Sequence, residues 1–214
     1  RVLSSSEIAQ LYNNGTKIPQ LIGFVYNTFT DTSSSTHTIN YGGNIHHSTT
    51  QFISGLSSIY FNNTSNSSGT DYLSISDSED WNFSGTDFTI EMYIYCTNFS
   101  DYPTIISQTG SWNATASWWL GLSTTGQILF TFAADDVGTW DYGETSTGTI
   151  SLNTWHHIAV TRQGTTLYQF IDGIVIGTHT TSQTINNSTN NLFIGKHGPS
   201  NNNYFVGYMD NIRI

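Results

Sequence analysis

Beyond Leu21 the chain alternates between apolar and polar residues in short runs separated by turn formers. In "FTIEMYIY", Phe88, Ile90, Met92 and Ile94 fall on one face and Thr89, Glu91, Tyr93 and Tyr95 on the other, the period of a strand with one buried side. "ILFTF" (Ile128 to Phe132) follows Gly126, and "WHHIAVTR" (Trp155 to Arg162) follows the turn-forming Leu152-Asn153. In "LYQFIDGIVIGT", Asp172-Gly173 between two apolar runs predicts a hairpin with a type I′ turn. "NLFIG" and "YFVGYMDNIRI" supply the last strands. Short strands at regular spacing, with three prolines in all, predict an antiparallel sandwich.

The start of the chain follows another period. Ser4 is placed to cap the amide of Glu7, Glu7 to reach back to Ser4, and Leu3 to staple onto Ile8. Ile8, Leu11 and Tyr12 then form an apolar stripe at helical spacing, which Gly15 ends and Pro19 prevents from resuming. A helix this short is marginal alone, so it needs an apolar surface to dock on.

The strands and their order resemble the laminin-G-like, concanavalin A-like jelly-roll family of lectins and glucanases. The resemblance is carried by "SSIYFNNTSNSSGTDYLSISDSEDWNFSGTDFTIEMYIY" (Ser57 to Tyr95), "NTWHHIAVTRQGTTLYQFIDGIVIGT" (Asn153 to Thr178), "NLFIGKHG" and "GYMDNIRI", and with the opening "LIGFVYNTFTD" it spans nearly all of Leu21 to Ile214. It implies an all-β, two-sheet antiparallel jelly-roll sandwich over residues 20–214, preceded by a helical and linker segment over residues 1–19. In this family a segment like Arg1 to Tyr12 typically follows "GYMDNIRI", as a closing segment. Here it precedes the domain. Either it closes a neighbouring copy or module, or it folds back beside its own last strand as a circular permutation would. The first arrangement is the one expected here, because the apolar stripe of the helix needs a partner surface and a domain lacking its own closing segment exposes one; a head-to-tail contact that does not close then builds a filament. Leu3, Ile8, Leu11 and Tyr12 are the expected assembly contacts, with other copies of the chain as partners.

Composition narrows the partners. Lys and Arg number five and the net charge is −10, which leaves little to neutralise a phosphate backbone or an anionic membrane. No apolar run is long enough to span a bilayer. The single cysteine, Cys96, is expected as a buried free thiol at a strand end. The chain starts at Arg1, as expected of a piece of a longer or processed product. Acceptor patterns for N-glycosylation occur at Asn14, Asn62, Asn63, Asn66, Asn82, Asn98, Asn113, Asn186 and Asn187. This modest excess over chance predicts an extracellular or surface glycoprotein, with Asn62, Asn66, Asn98, Asn113 and Asn187 as its acceptors.

Candidate chemistry follows from the resemblance and is weighed against the residues. Family glucanases carry Glu-x-Asp-x-x-Glu or a close variant on one strand; the strand holding Glu91 has no second carboxylate at that spacing, and no enzymatic activity is expected. Asp77, Glu79 and Asp80 in "SDSEDW" read as a capped turn. His156 and His157 are strand neighbours on opposite faces and cannot share an ion, and His46 and His47 have no carboxylate close in sequence. Family relatives hold Ca2+ at the sandwich rim through oxygen ligands; Asp31 and Asp210 match such positions, with Asp71 a weaker candidate. Family lectins imply sugar binding, for which Trp112, Trp140 and Tyr142, in loop-like stretches, offer stacking faces. Trp81, Trp118, Trp119 and Trp155 read as core or partly core. The expected function is a non-enzymatic structural or adhesive module, with a lectin-like carbohydrate-binding module as the alternative.

Overall fold

The computed structural model describes residues 28–110, 116–135, 140–199 and 203–214. Two antiparallel sheets of seven strands pack face to face. The first runs, in spatial order, β1 (Ile39–Gly42), β4 (Tyr72–Ile75), β13 (Leu192–Ile194), β6 (Thr104–Thr109), β7 (Ala116–Leu122), β8 (Gln127–Phe132) and β9 (Tyr142–Thr149). The second runs β12 (Ile174–Thr180), β11 (Thr166–Ile171), β10 (Trp155–Gln163), β5 (Phe88–Cys96), β14 (Gly207–Arg213), β3 (Ser58–Phe61) and β2 (His46–Ser48). The antiparallel sandwich expected from the alternation, and the two-sheet jelly roll implied by the resemblance, are therefore present. The N-terminal helix, with Leu3, Ile8, Leu11 and Tyr12, lies outside the described residues.

Alternation decides which side of each strand is inside. On β5, Phe88, Ile90, Met92, Ile94 and Cys96 are buried while the residues between them face outward. The inner face meets Trp118, Leu120, Phe130 and Phe132 of the first sheet in one continuous core. The β11–β12 hairpin turns through Asp172 and Gly173, both at positive φ (51° and 77°), the geometry a type I′ turn requires. Among the described residues the helical content is a single 3-10 turn, Glu79–Trp81, capped by Ser78, whose Oγ accepts from the Asp80 amide at 3.3 Å. That turn is the one read from "SDSEDW". Cys96 is a buried free thiol at the end of β5, as expected, and burial pushes it up to about 12.

The β3–β4 connection is held by a buried polar network. Asp71 is 1% exposed, and its carboxylate accepts from the amides of Asn44 (2.7 Å) and Asn62 (2.9 Å). Asn63 accepts from the amides of Thr70 and Asp71 and donates to the carbonyl of Phe205 at 2.8 Å. Asn66 donates to the carbonyl of Tyr204 at 2.6 Å and accepts from Ser100 Oγ at 2.9 Å. Side chains thus satisfy backbone groups that no ladder reaches, and they tie the segment leading into β14 to the loop before β4. Removing a charged acceptor strands buried donors. Asp71→Ala is expected to lower unfolding stability by about 3 kcal/mol, measured as a shift of the urea midpoint, with Asp71→Asn losing less.

Candidate functional site

The outer face of a half-buried sheet is ordinarily polar, yet on the second sheet it is aromatic. The register sets His46 opposite Tyr60, Tyr60 opposite Tyr208, Tyr208 opposite Tyr95 and Tyr95 opposite Trp155. Five ring side chains from β2, β3, β14, β5 and β10 therefore stand abreast. Each touches the next: His46 and Tyr60 meet edge to face at 5.4 Å, and Tyr60 stacks on Tyr208 at 4.4 Å. Tyr208 and Tyr95 are perpendicular at 5.6 Å, and Tyr95 meets Trp155 at 5.7 Å. All five residues are half-buried, the Trp155 indole nitrogen being turned inward and buried. Burial, and then the neighbouring phenols of Tyr60 and Tyr95, push the Tyr208 hydroxyl above its ordinary range.

Polar groups border this row. One step along the strands lie Asp210, Tyr93 and His157, with Tyr93 and His157 rings 4.9 Å apart. Glu91 is held by Arg213 Nε at 2.9 Å and His157 Nε2 at 3.1 Å. At the β3 end, Tyr60 donates to Asn62 Oδ1 at 3.0 Å. The β2–β3 loop lies over the same face: Asp210 Oδ2 accepts from the amides of Ile53 (2.9 Å) and Ser54 (3.1 Å), and Ser54 Oγ donates to Asn211 Oδ1.

The residues expected to bind a ligand are not gathered there. Trp140 sits by the other sheet, its ring 6.0 Å from that of His197, which in turn meets the buried Trp119 at 5.7 Å. Tyr142 is not in a loop. It opens β9 and stacks on Phe132 at 4.7 Å at the edge of the core, with its hydroxyl buried and raised by burial and then by Glu144. Trp112 and Asn113 lie outside the described residues. Of the other acceptor asparagines, Asn187 and Asn62 are exposed, Asn98 is half-buried and Asn66 is fully buried with its amide nitrogen engaged. Trp81, Trp118 and Trp119 are core, and Trp155 is the half-buried end of the row.

The carboxylates matched to Ca2+ positions accept hydrogen bonds from backbone amides. The amide of Ser33 foremost, and that of His37, hold the Asp31 carboxyl below its ordinary range, and Asp210 closes the β2–β3 loop. Asp71 is buried in its own network. Among the described residues no three His, Cys, Asp or Glu side chains converge as a metal site. His156 and His157 do not share an ion either: His156 Nδ1 is 2.8 Å from Asp172 Oδ2, while His157 meets Glu91.

A profile of the concanavalin A-like lectin/glucanases superfamily matches residues 66–214, more than two thirds of the chain. The chain belongs to this superfamily. No curated protein sequence matches it significantly. Among solved structures, this superfamily member is similar to the binding domain of Paraclostridial Mosquitocidal Protein 1, with a TM-score of 0.65 and 18% identity over 86% of this chain and 45% of that one. It is also similar to botulinum neurotoxin type C, in a structure described by that toxin's dependence on two ganglioside molecules for cell entry (TM-score 0.62, 17% identity, 87% of this chain and 44% of that one). The chain thus spans under half the length of either toxin chain. Domain 4 of AbnA, an extracellular arabinanase from Geobacillus stearothermophilus in complex with arabinotriose, aligns with a TM-score of 0.57 and 14% identity over 82% of this chain and 79% of that one. At these identities the likeness is one of fold.

The lectin-like sandwich carries a titratable group of its own behind Trp140. His197 is 3% exposed, and burial lowers it from 6.5 to about 4. The unfolded chain therefore binds a proton between pH 6.5 and 4 that the folded chain refuses. Stability from this group is fully present above pH 6.5 and falls as pH drops through that window, by on the order of 3 kcal/mol. Urea titrations of wild type and His197→Gln at pH 7 and pH 4.5 are expected to show a smaller acid loss in the variant.

Proposed function

We propose that this chain is a non-catalytic carbohydrate-binding module acting outside the cell, and that it takes its glycan across the ring row of the second sheet. The observation that carries the reading is the register: five ring side chains aligned across five adjacent strands. A sugar offers C–H faces to aromatic rings and hydroxyls to polar groups beside them. Adjacent strands lie about 4.8 Å apart, so the row extends for about 19 Å, long enough for an oligosaccharide. The arabinotriose held by AbnA domain 4, similar over most of both chains, supports a saccharide as the ligand. The exposed acceptor asparagines Asn62 and Asn187 support the extracellular setting.

A binding rather than hydrolytic role is supported by what the carboxylates do. Glycosidases need two of them across one cleft. Here Glu91 is paired with Arg213 and His157, Asp77 accepts from Gln108, Glu79 from Asn82, and Asp80 meets His37 at 2.8 Å. On a glycan array, wild type is expected to select an oligosaccharide. Tyr208→Ala and Trp155→Ala should each weaken that binding about tenfold, about 1.4 kcal/mol, with Trp140→Ala and EDTA without effect. Loss in the Trp140 variant with the row variants unchanged, and all of them folded by circular dichroism, would move the site to the first sheet.

A second reading, head-to-tail self-association, is favoured by a cleft of about 850 Å3 at one end of the sandwich. Its apolar floor comes from both sheets through Ile59, Leu73, Ile75, Leu192 and Ile194, and Ile214 lines its rim. The apolar stripe of Leu3, Ile8, Leu11 and Tyr12 matches such a surface in chemistry. Sedimentation of the full chain against a chain lacking residues 1–19 tests it: the reading expects concentration-dependent polymers from the first and monomers from the second, and monomers from both end it.

A further inference from the structure

Beside the ring row stands a loop whose chemistry sugars do not explain. From Ser48 to Ser58 the chain reads "STTQFISGLSS", without a charged residue. Its apolar side chains point outward: Phe52 is 43% exposed, Ile53 42% and Leu56 85%. Gly55, at φ +68° with open space around it, turns the tip so that Leu56 projects. Three large apolar side chains on one uncharged loop suit a partner more apolar than a saccharide.

Part of the loop's backbone is satisfied from within: Asp210 accepts from the amides of Ile53 and Ser54, and Ser58 Oγ donates to the carbonyl of Gln51. Its other polar groups suit the headgroup layer, where hydrogen-bonding partners remain, rather than the hydrocarbon core. Asp210 sits two residues from Tyr208 on the same outer face of β14, so tip and ring row are about 7 Å apart along the strand at their shared anchor. The net charge of −10 repels anionic lipid.

We infer that the β2–β3 loop dips into the headgroup layer of a neutral bilayer, so that the glycan on the ring row is the headgroup of a glycolipid. This rests on the carbohydrate reading above and adds the lipid to it. Phe52, Ile53 and Leu56 supply apolar area to the interface, and Asp210 is the positioning residue that fixes the tip beside the row. Two weak contacts joined on one rigid domain bind a glycolipid more tightly than either binds alone.

The test separates the lipid contact from the sugar contact. The full chain, carrying a flexible C-terminal histidine tag, is tethered to phosphatidylcholine vesicles that contain a nickel-chelating lipid. An environment-sensitive NBD label is placed through Leu56→Cys, or through Thr145→Cys on the other sheet as a control; the native thiol, buried and pushed up to about 12, stays unlabelled. A blue shift with rising intensity at position 56 alone is expected, and a water-like spectrum there overturns the inference whatever the glycan proves to be. In the second arm, Leu56→Asp should weaken binding of the array-selected glycan coupled to a lipid in these vesicles at least fivefold, leaving the free glycan within twofold. An equal loss for the free glycan would make the loop a wall of the sugar site and end the membrane role. Failure of Tyr208→Ala to change glycan binding would instead strike the reading on which this one rests.

Discussion

Antiparallel register is the constraint on which the functional surface depends. Side chains on a strand alternate with period two, so a slip of one residue in any pairing moves a whole set of side chains to the other face. On the second sheet this would send Tyr208 and Asp210 into the core and expel Met209. Burial of Met92, Ile94, Met209 and Phe61 fixes the pairing of β5, β14 and β3, and the same pairing sets Tyr95, Tyr208 and Tyr60 abreast on the outside. The core therefore aligns the candidate site. Where the register does shift, between Asp210 and Arg213, Asn211 takes a positive φ of 51°. Beyond that irregularity Arg213 still returns to the outer face to meet Glu91.

The two sheets divide their work differently. On the first, β6 is buried along its whole length, and Trp119, His197 and Lys196 are packed away; the Lys196 ammonium lies over the Tyr72 ring at 4.7 Å, with its pKa lowered by burial. The second leaves a row of half-buried rings and a projecting loop open on its outer side. In a chain with five Lys and Arg, several carboxylates take histidine as partner: His37–Asp80, His156–Asp172, His157–Glu91 and His179–Glu144.

Much of the fold was legible in the sequence because β5, β8 and β11 each have one outward and one buried side, and because Asp172-Gly173 marks the β11–β12 turn. β6 and β7 were not: "TIISQT" is buried on both faces, and a strand without a wet side has no alternation to read. The candidate site was harder still. Tyr93 and Tyr95 were placed on the polar face of β5, and a run of tyrosines where Thr or Lys would suffice was the available signal. That Tyr208, Tyr60, Trp155 and His46 stand beside them depends on pairings between strands far apart in sequence, which periodicity does not encode. Loop position misled for Tyr142, whose stretch lacks apolar alternation although it begins an edge strand.

The most direct test of the ring row is to watch the rings themselves. Aromatic NMR resonances of the full chain would be followed while the glycan selected on the array is titrated in. The shifts of Tyr60, Tyr95, Tyr208 and Trp155 are predicted to move together with one saturation curve while those of Trp140 and Trp119 stay fixed. Movement at Trp140 with the four row resonances unchanged would contradict the account.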